Sequence, residues 1–151
     1  MKIIKTLAAV AALGIAAMTY SAHAADKGLV GVLMPTKTSQ RWINDGDAVK
    51  SQLEALGYTV DLQRTDDLDA IRAEAGIPPE AAGCHTARVG DYVVEGHVPV
   101  EAIDRLLQEK PAIDGIALPG MPSGSPGMGD GGGPFEVMAI VDGAIEPFMT
   151  V

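Results

Sequence analysis

The side chains able to do chemistry are few: Cys84, His85, His97, Met121 and Met128. Thiolate and thioether favour monovalent copper over hard cations, and imidazole accepts either copper state. By type alone these residues could serve a metal ion as partner. Cys84 and His85 are neighbours in the chain, and adjacent residues of a strand point to opposite faces. They share an ion only if the backbone turns between Ala81 and Thr86. The residue types alone favour a second reading, with Cys84 buried and inert, both histidines capping or bonded to backbone groups, and both methionines packing a loop onto the core. One thiol with scattered nitrogen and thioether donors falls short of any zinc motif.

Other chemistries lack their parts. Cys84 is the only cysteine, so dithiol exchange, which needs a cysteine pair at a helix start, is excluded by count. Ser123 and Ser125 lie in a Gly/Pro loop with no strand to hold them, and the histidines show no orienting pattern for a hydrolytic triad. Gly127 to Gly132 matches a dinucleotide-binding pattern by letter, but Pro134 and a strand-like run follow it where a helix is required. No enzyme is expected.

The N-terminus reads as a cleavable secretory signal at residues 1–24: Lys2 and Lys5, an apolar run from Leu7 to Met18, then Ala22-His23-Ala24. The run is short for a bilayer span and no second one follows, so stable membrane insertion is not expected. A periplasmic location is. Cleavage would leave 127 of the 151 residues, 25–151, an ordinary size for a single domain. That portion holds nine basic against twenty acidic residues, a formal charge of -11. Like charge then argues against nucleic acid as a partner.

The elements that must position these residues follow from periodicity. Leu29 to Met34 reads as a buried strand ended by Pro35, and Pro35 to Gln40 as a polar loop. Trp42, Val49, Leu53 and Leu56 recur on one face of a helix over 41–56, and Tyr58 to Leu62 alternates as a second strand. Asp66 and Asp67 suit the start of a short helix through Leu68, Ile71 and Ala75, stopped by Gly76 and Pro78-Pro79. A hairpin is expected over Thr86 to Val94, turning at Gly90-Asp91. Next comes a helix with Pro99 near its first turn and Val100, Ile103, Leu106 and Leu107 on its buried side. Ala112 to Leu118 reads as an apolar connector and Pro119 to Pro134 as a loop long enough to be functional or mobile. Phe135 to Thr150 closes the chain as an antiparallel hairpin turning at Asp142-Gly143.

Two stretches resemble known families. Asp66-Asp67-Leu68, Gly76-Ile77-Pro78-Pro79, Cys84-His85-Thr86, the run Tyr92 to Pro99, and Leu118 to Met128 carry the first likeness, over about residues 64–150. This part resembles family 411 of the domains of unknown function, the exported, CopG-like proteins of copper-resistance clusters. The resemblance implies a thioredoxin-like α/β fold: a mixed sheet with an N-terminal strand-helix-strand unit and a C-terminal hairpin. It also implies copper binding through Cys84 and a cysteine cluster in the loop after the first strand. Here that loop, Pro35 to Gln40, holds no cysteine, so the ligand set is depleted. Residues 1–63, notably Met34 to Ile43, resemble the start of a periplasmic sugar-binding receptor of an ABC uptake system. That likeness implies an alternative sugar site at Thr38, Arg41 and Trp42, although such receptors close two lobes and 127 residues are too few for both. The chain is thus expected to be a composite, joined near Gln63-Arg64. A domain that binds nothing is the third expectation.

Overall fold

The computed structural model describes residues 28–151; the signal expected at residues 1–24 lies outside them. Strand β1 (Leu29–Pro35), helix α1 (Gln40–Ala55) and β2 (Thr59–Thr65) form the opening unit, in which β1 and β2 pair in parallel from Leu29↔Thr59 to Pro35↔Thr65. A short helix α2 (Leu68–Glu74) and one 3-10 turn (Pro79–Ala81) lead to the hairpin β3 (Thr86–Val89) and β4 (Tyr92–Glu95). Helix α3 (Val100–Glu109), β5 (Gly115–Ala117), β6 (Glu136–Val141) and β7 (Ala144–Thr150) complete the order.

All seven strands join one mixed sheet, β2-β1-β3-β4-β5-β6-β7. Its first four strands, with α1 between β1 and β2 and a hairpin followed by a helix, form the expected thioredoxin-like arrangement. β1 is the joint: it pairs in parallel with β2 and antiparallel with β3. Backbone hydrogen bonds therefore tie the opening strand-helix-strand unit to the rest of the sheet.

The sheet is covered on both faces. Trp42, Val49 and Leu53 of α1 pack on Val30, Val32, Met34 and Val60, while Ala102 and Leu106 of α3 pack on Val94, Ile116 and Val137 of the same face. Ala87 and Val89 touch both clusters. On the opposite face, Ile77 and Ala81 pack on Val93, Ala117 and Ile140.

Three expectations are corrected. The stretch read as a connector contains β5, which is fully buried and bonded to β4 and β6; three residues between glycine and proline are too few for a period to show. Leu56 is 59% exposed because α1 ends at Ala55 and Leu56 is its C-terminal flank. Val100 is 60% exposed while Ala102 and Leu106 are sealed. At 3.6 residues per turn, a position two before Ala102 falls on the far side of the helix, so the buried stripe is i, i+4 from Ala102 with Ile103 and Leu107 flanking it. No helix among the described residues is long and apolar enough to cross a membrane.

Candidate metal centre

The centre lies where the chain enters β3 and leaves β4. Cys84 sits in a bend just before β3, and His97 follows β4 by two residues. The turn demanded of the Ala81 to Thr86 stretch is present. The Cys84 Sγ lies 3.1 Å from His85 Nδ1 and 2.6 Å from His97 Nε2. The two imidazoles meet edge to face with centroids 4.9 Å apart. One donor atom from each of the three residues lies within 4.8 Å of the others.

Two glycines allow this approach. A Cβ on Gly83 would stand 2.5 Å from the Gly96 Cα, and one on Gly96, at φ +77°, would stand 2.5 Å from the Leu118 carbonyl oxygen. Backbones therefore cross where side chains are absent, bringing the residue after each glycine to the same place. Main-chain bonds hold the crossing: the Gly96 N–H donates to His85 O at 2.8 Å and the Gly120 N–H to Ala82 O at 2.9 Å.

The electrostatics match a site kept neutral. Cys84 is only 7% exposed. Burial pushes its thiol up to about 11, and the Glu95 carboxylate adds to this, against a backbone hydrogen bond and the charges of Arg72 and Arg41. Burial, then the neighbouring His97, lowers His85 to about 4, with Asp45 acting in the opposite direction. Both groups thus feel charges from the first turns of α1. His97 Nδ1 lies 2.7 Å from the Pro126 carbonyl oxygen. Since that oxygen only accepts, Nδ1 is the donor, and in the neutral form of the ring Nε2 then presents a lone pair to the sulfur. Holding one ring nitrogen on a backbone carbonyl so that the other is free is a common arrangement of metal-binding histidines.

The donor set fits a soft or borderline ion. One thiol and two imidazoles suit monovalent copper and also zinc, and the loop Pro35 to Gln40 adds no sulfur. Met121 is 55% exposed. Met128 is half-buried and follows Gly127, where an added Cβ would stand 3.8 Å from His97 Nδ1. Of the residues read as a sugar site, Thr38 lies in the loop before α1 and Arg41 and Trp42 in its first turn. Thr38 is exposed, with its hydroxyl 3.2 Å from that of Thr36; exposed Arg41 pairs with Asp45 and lies over the Trp42 ring; and Trp42 packs into the core.

Sequence reasoning missed the residues behind the ligands. Glu95 is fully buried and accepts from Arg72 Nε and the Gly83 N–H, both at 2.8 Å, and from the Thr86 hydroxyl. The available signal was a lone carboxylate ending the apolar run Tyr92-Val93-Val94, since a charge buried on a central strand demands partners. Nothing in the sequence points to the Pro126 carbonyl.

Comparison with known proteins supports both resemblances. Two solved structures of a copper resistance protein, copG in forms 1 and 2, superpose with TM-scores of 0.66 and 0.64, each at 29% identity. They cover 83% and 82% of this chain and 98% and 97% of theirs, more than residues 64–151 contain. The likeness therefore takes in the opening strand-helix-strand unit as well. The multiple sugar-binding periplasmic receptor ChvE of Rhizobium radiobacter is 34% identical over 91% of this chain, well beyond residues 1–63. A multiple sugar-binding periplasmic protein of Azospirillum brasilense, SbpA, is 32% identical over 85%. The chain spans less than half the length of these two curated relatives, 45% and 42%. Residues 81–128, the stretch that carries Cys84, His85 and His97, match the family described as "Protein of unknown function, DUF411".

Proposed function

We propose that this is a periplasmic copper-handling protein that binds one monovalent copper ion and catalyses no reaction. Cys84, His85 and His97 hold the ion; Met128 follows by two residues Pro126, whose carbonyl oxygen meets His97, while Met121 is exposed. The observation that carries the reading is a single sulfur in direct contact with two imidazole nitrogens. The copper-resistance structures support the choice of metal and the periplasmic relatives support the location. With one thiolate where the family's pattern implies several, the affinity is modest and the stoichiometry is one.

Competition with a chromogenic copper(I) chelator, run on the parent and on Cys84→Ser, tests this. One equivalent retained by the parent, with at least a tenfold loss in the variant, is expected; equal retention by both proteins removes Cys84 as a ligand. A thermal-shift screen in the same buffer compares copper with pentoses and hexoses, since a ligand of the folded state raises the melting temperature. A shift with sugar and none with copper would transfer the function to the receptor-like opening unit.

A further inference from the structure

The ion pair between α2 and β4 shares its partners with the metal centre. Arg72, which is 11% exposed, donates from Nε to Glu95 Oε1 at 2.8 Å and from a terminal nitrogen to the Gly83 carbonyl. Its remaining terminal nitrogen meets the exposed Asp69 at 2.8 Å. Glu95 takes the Gly83 N–H on the same Oε1 and the Thr86 hydroxyl on Oε2. Both polar groups of Gly83, and the side chain of Thr86, are thus held by this pair. Cys84 and His85 are the two residues between them.

A buried ion pair contributes little net stability, because the desolvation of two charges offsets their attraction. Stability is thus a weak reason for spending three hydrogen bonds on the two residues that flank a pair of metal donors. Groups that orient ligands from behind influence affinity strongly in metal sites.

Building on the copper reading, we propose that Arg72 and Glu95 are positioning residues of the centre, a clamp that fixes the 83–86 turn so that the Cys84 sulfur faces both imidazoles. Arg72 couples α2 to the site, and Glu95, two residues before His97, ties the two ligand-bearing segments to each other.

The test compares copper(I) affinity, the thiolate-to-copper absorption in the ultraviolet, and the metal-free melting curve. Arg72→Leu/Glu95→Leu removes the clamp without leaving an unpaired buried charge. It is expected to melt cooperatively, yet to bind copper about 10–100-fold more weakly with a diminished thiolate band. Glu95→Gln keeps an acceptor for Gly83 and Arg72 and offers an amide N–H to the Thr86 oxygen, so it should stay within a few-fold of the parent. Should the double variant not fold, Thr86→Val releases one arm alone, and a loss of about fivefold is expected. A folded double variant with parental affinity and absorption, or Thr86→Val with none of the loss, overturns the proposal. A parent that takes up no copper instead removes the copper reading, and the clamp is then judged by hydrogen exchange: a Gly83 amide as protected in the double variant as in the parent refutes it.

Discussion

Cys84 and His85 are both driven toward their neutral forms, which gives the protein two opposed pH limits. His85 titrates at about 4 in the fold, below its value of 6.5 in an open chain. Between those values the unfolded state binds the extra proton, so stability falls as pH drops from 6.5 toward 4. Cys84 titrates at about 11 rather than 9.0; there the native state keeps a proton that the unfolded chain releases, and stability falls as pH rises from 9 toward 11. Denaturant unfolding from pH 4 to 11 is therefore expected to show greatest stability between about 6.5 and 9. Cys84→Ala should flatten the alkaline limb and leave the acid limb in place; an unchanged alkaline limb would show that another group sets it. The five candidate ligands were legible as residue types, because soft donors stand out in a chain with one cysteine. The convergence of Cys84, His85 and His97 was not, since it depends on a bend at Cys84 and on a backbone oxygen, neither of which has a sequence signature.

At the scale of elements, the crossing of two glycines places the ligands, and it is open to a simple test. Gly83→Ala puts a methyl 2.5 Å from the Gly96 Cα and 2.9 Å from its nitrogen, both backbone atoms that cannot swing aside. A cost of about 1–3 kcal/mol is expected, as for overpacking in a core, together with weaker copper binding; chemical denaturation and the chelator competition measure the two. Parental values in both would mean that the segments separate freely. The long elements were readable because their apolar residues repeat: α1 through Trp42, Val49 and Leu53, and the closing hairpin through its Asp142-Gly143 turn. β5 escaped because it is three residues long and buried on both faces, so its pattern is continuous rather than alternating. Val100 was misplaced because its apolar type outweighed its angular position.

Across the whole molecule, the strands of the opening strand-helix-strand unit and those that follow residue 64 are consecutive members of one sheet. Ala87 and Val89 of β3 bind the two apolar clusters into one face. A single cooperative thermal transition, with matching van't Hoff and calorimetric enthalpies, is expected; two resolved transitions would show that the opening unit melts on its own. That a strand, a helix and a second strand were needed ahead of residue 64 was evident from the sequence, whereas the pairing of β1 with β3 was not, since it is a contact between residues more than fifty positions apart. The last strand carries one more consequence. β7 lies at the border of the sheet and includes Pro147, paired with Met138 beside a register shift. Proline has no amide hydrogen to offer and is tolerated where that position faces outward. A ribbon from another molecule trying to extend the sheet there would meet a missing rung, and this border is thereby guarded against self-adhesion into fibres.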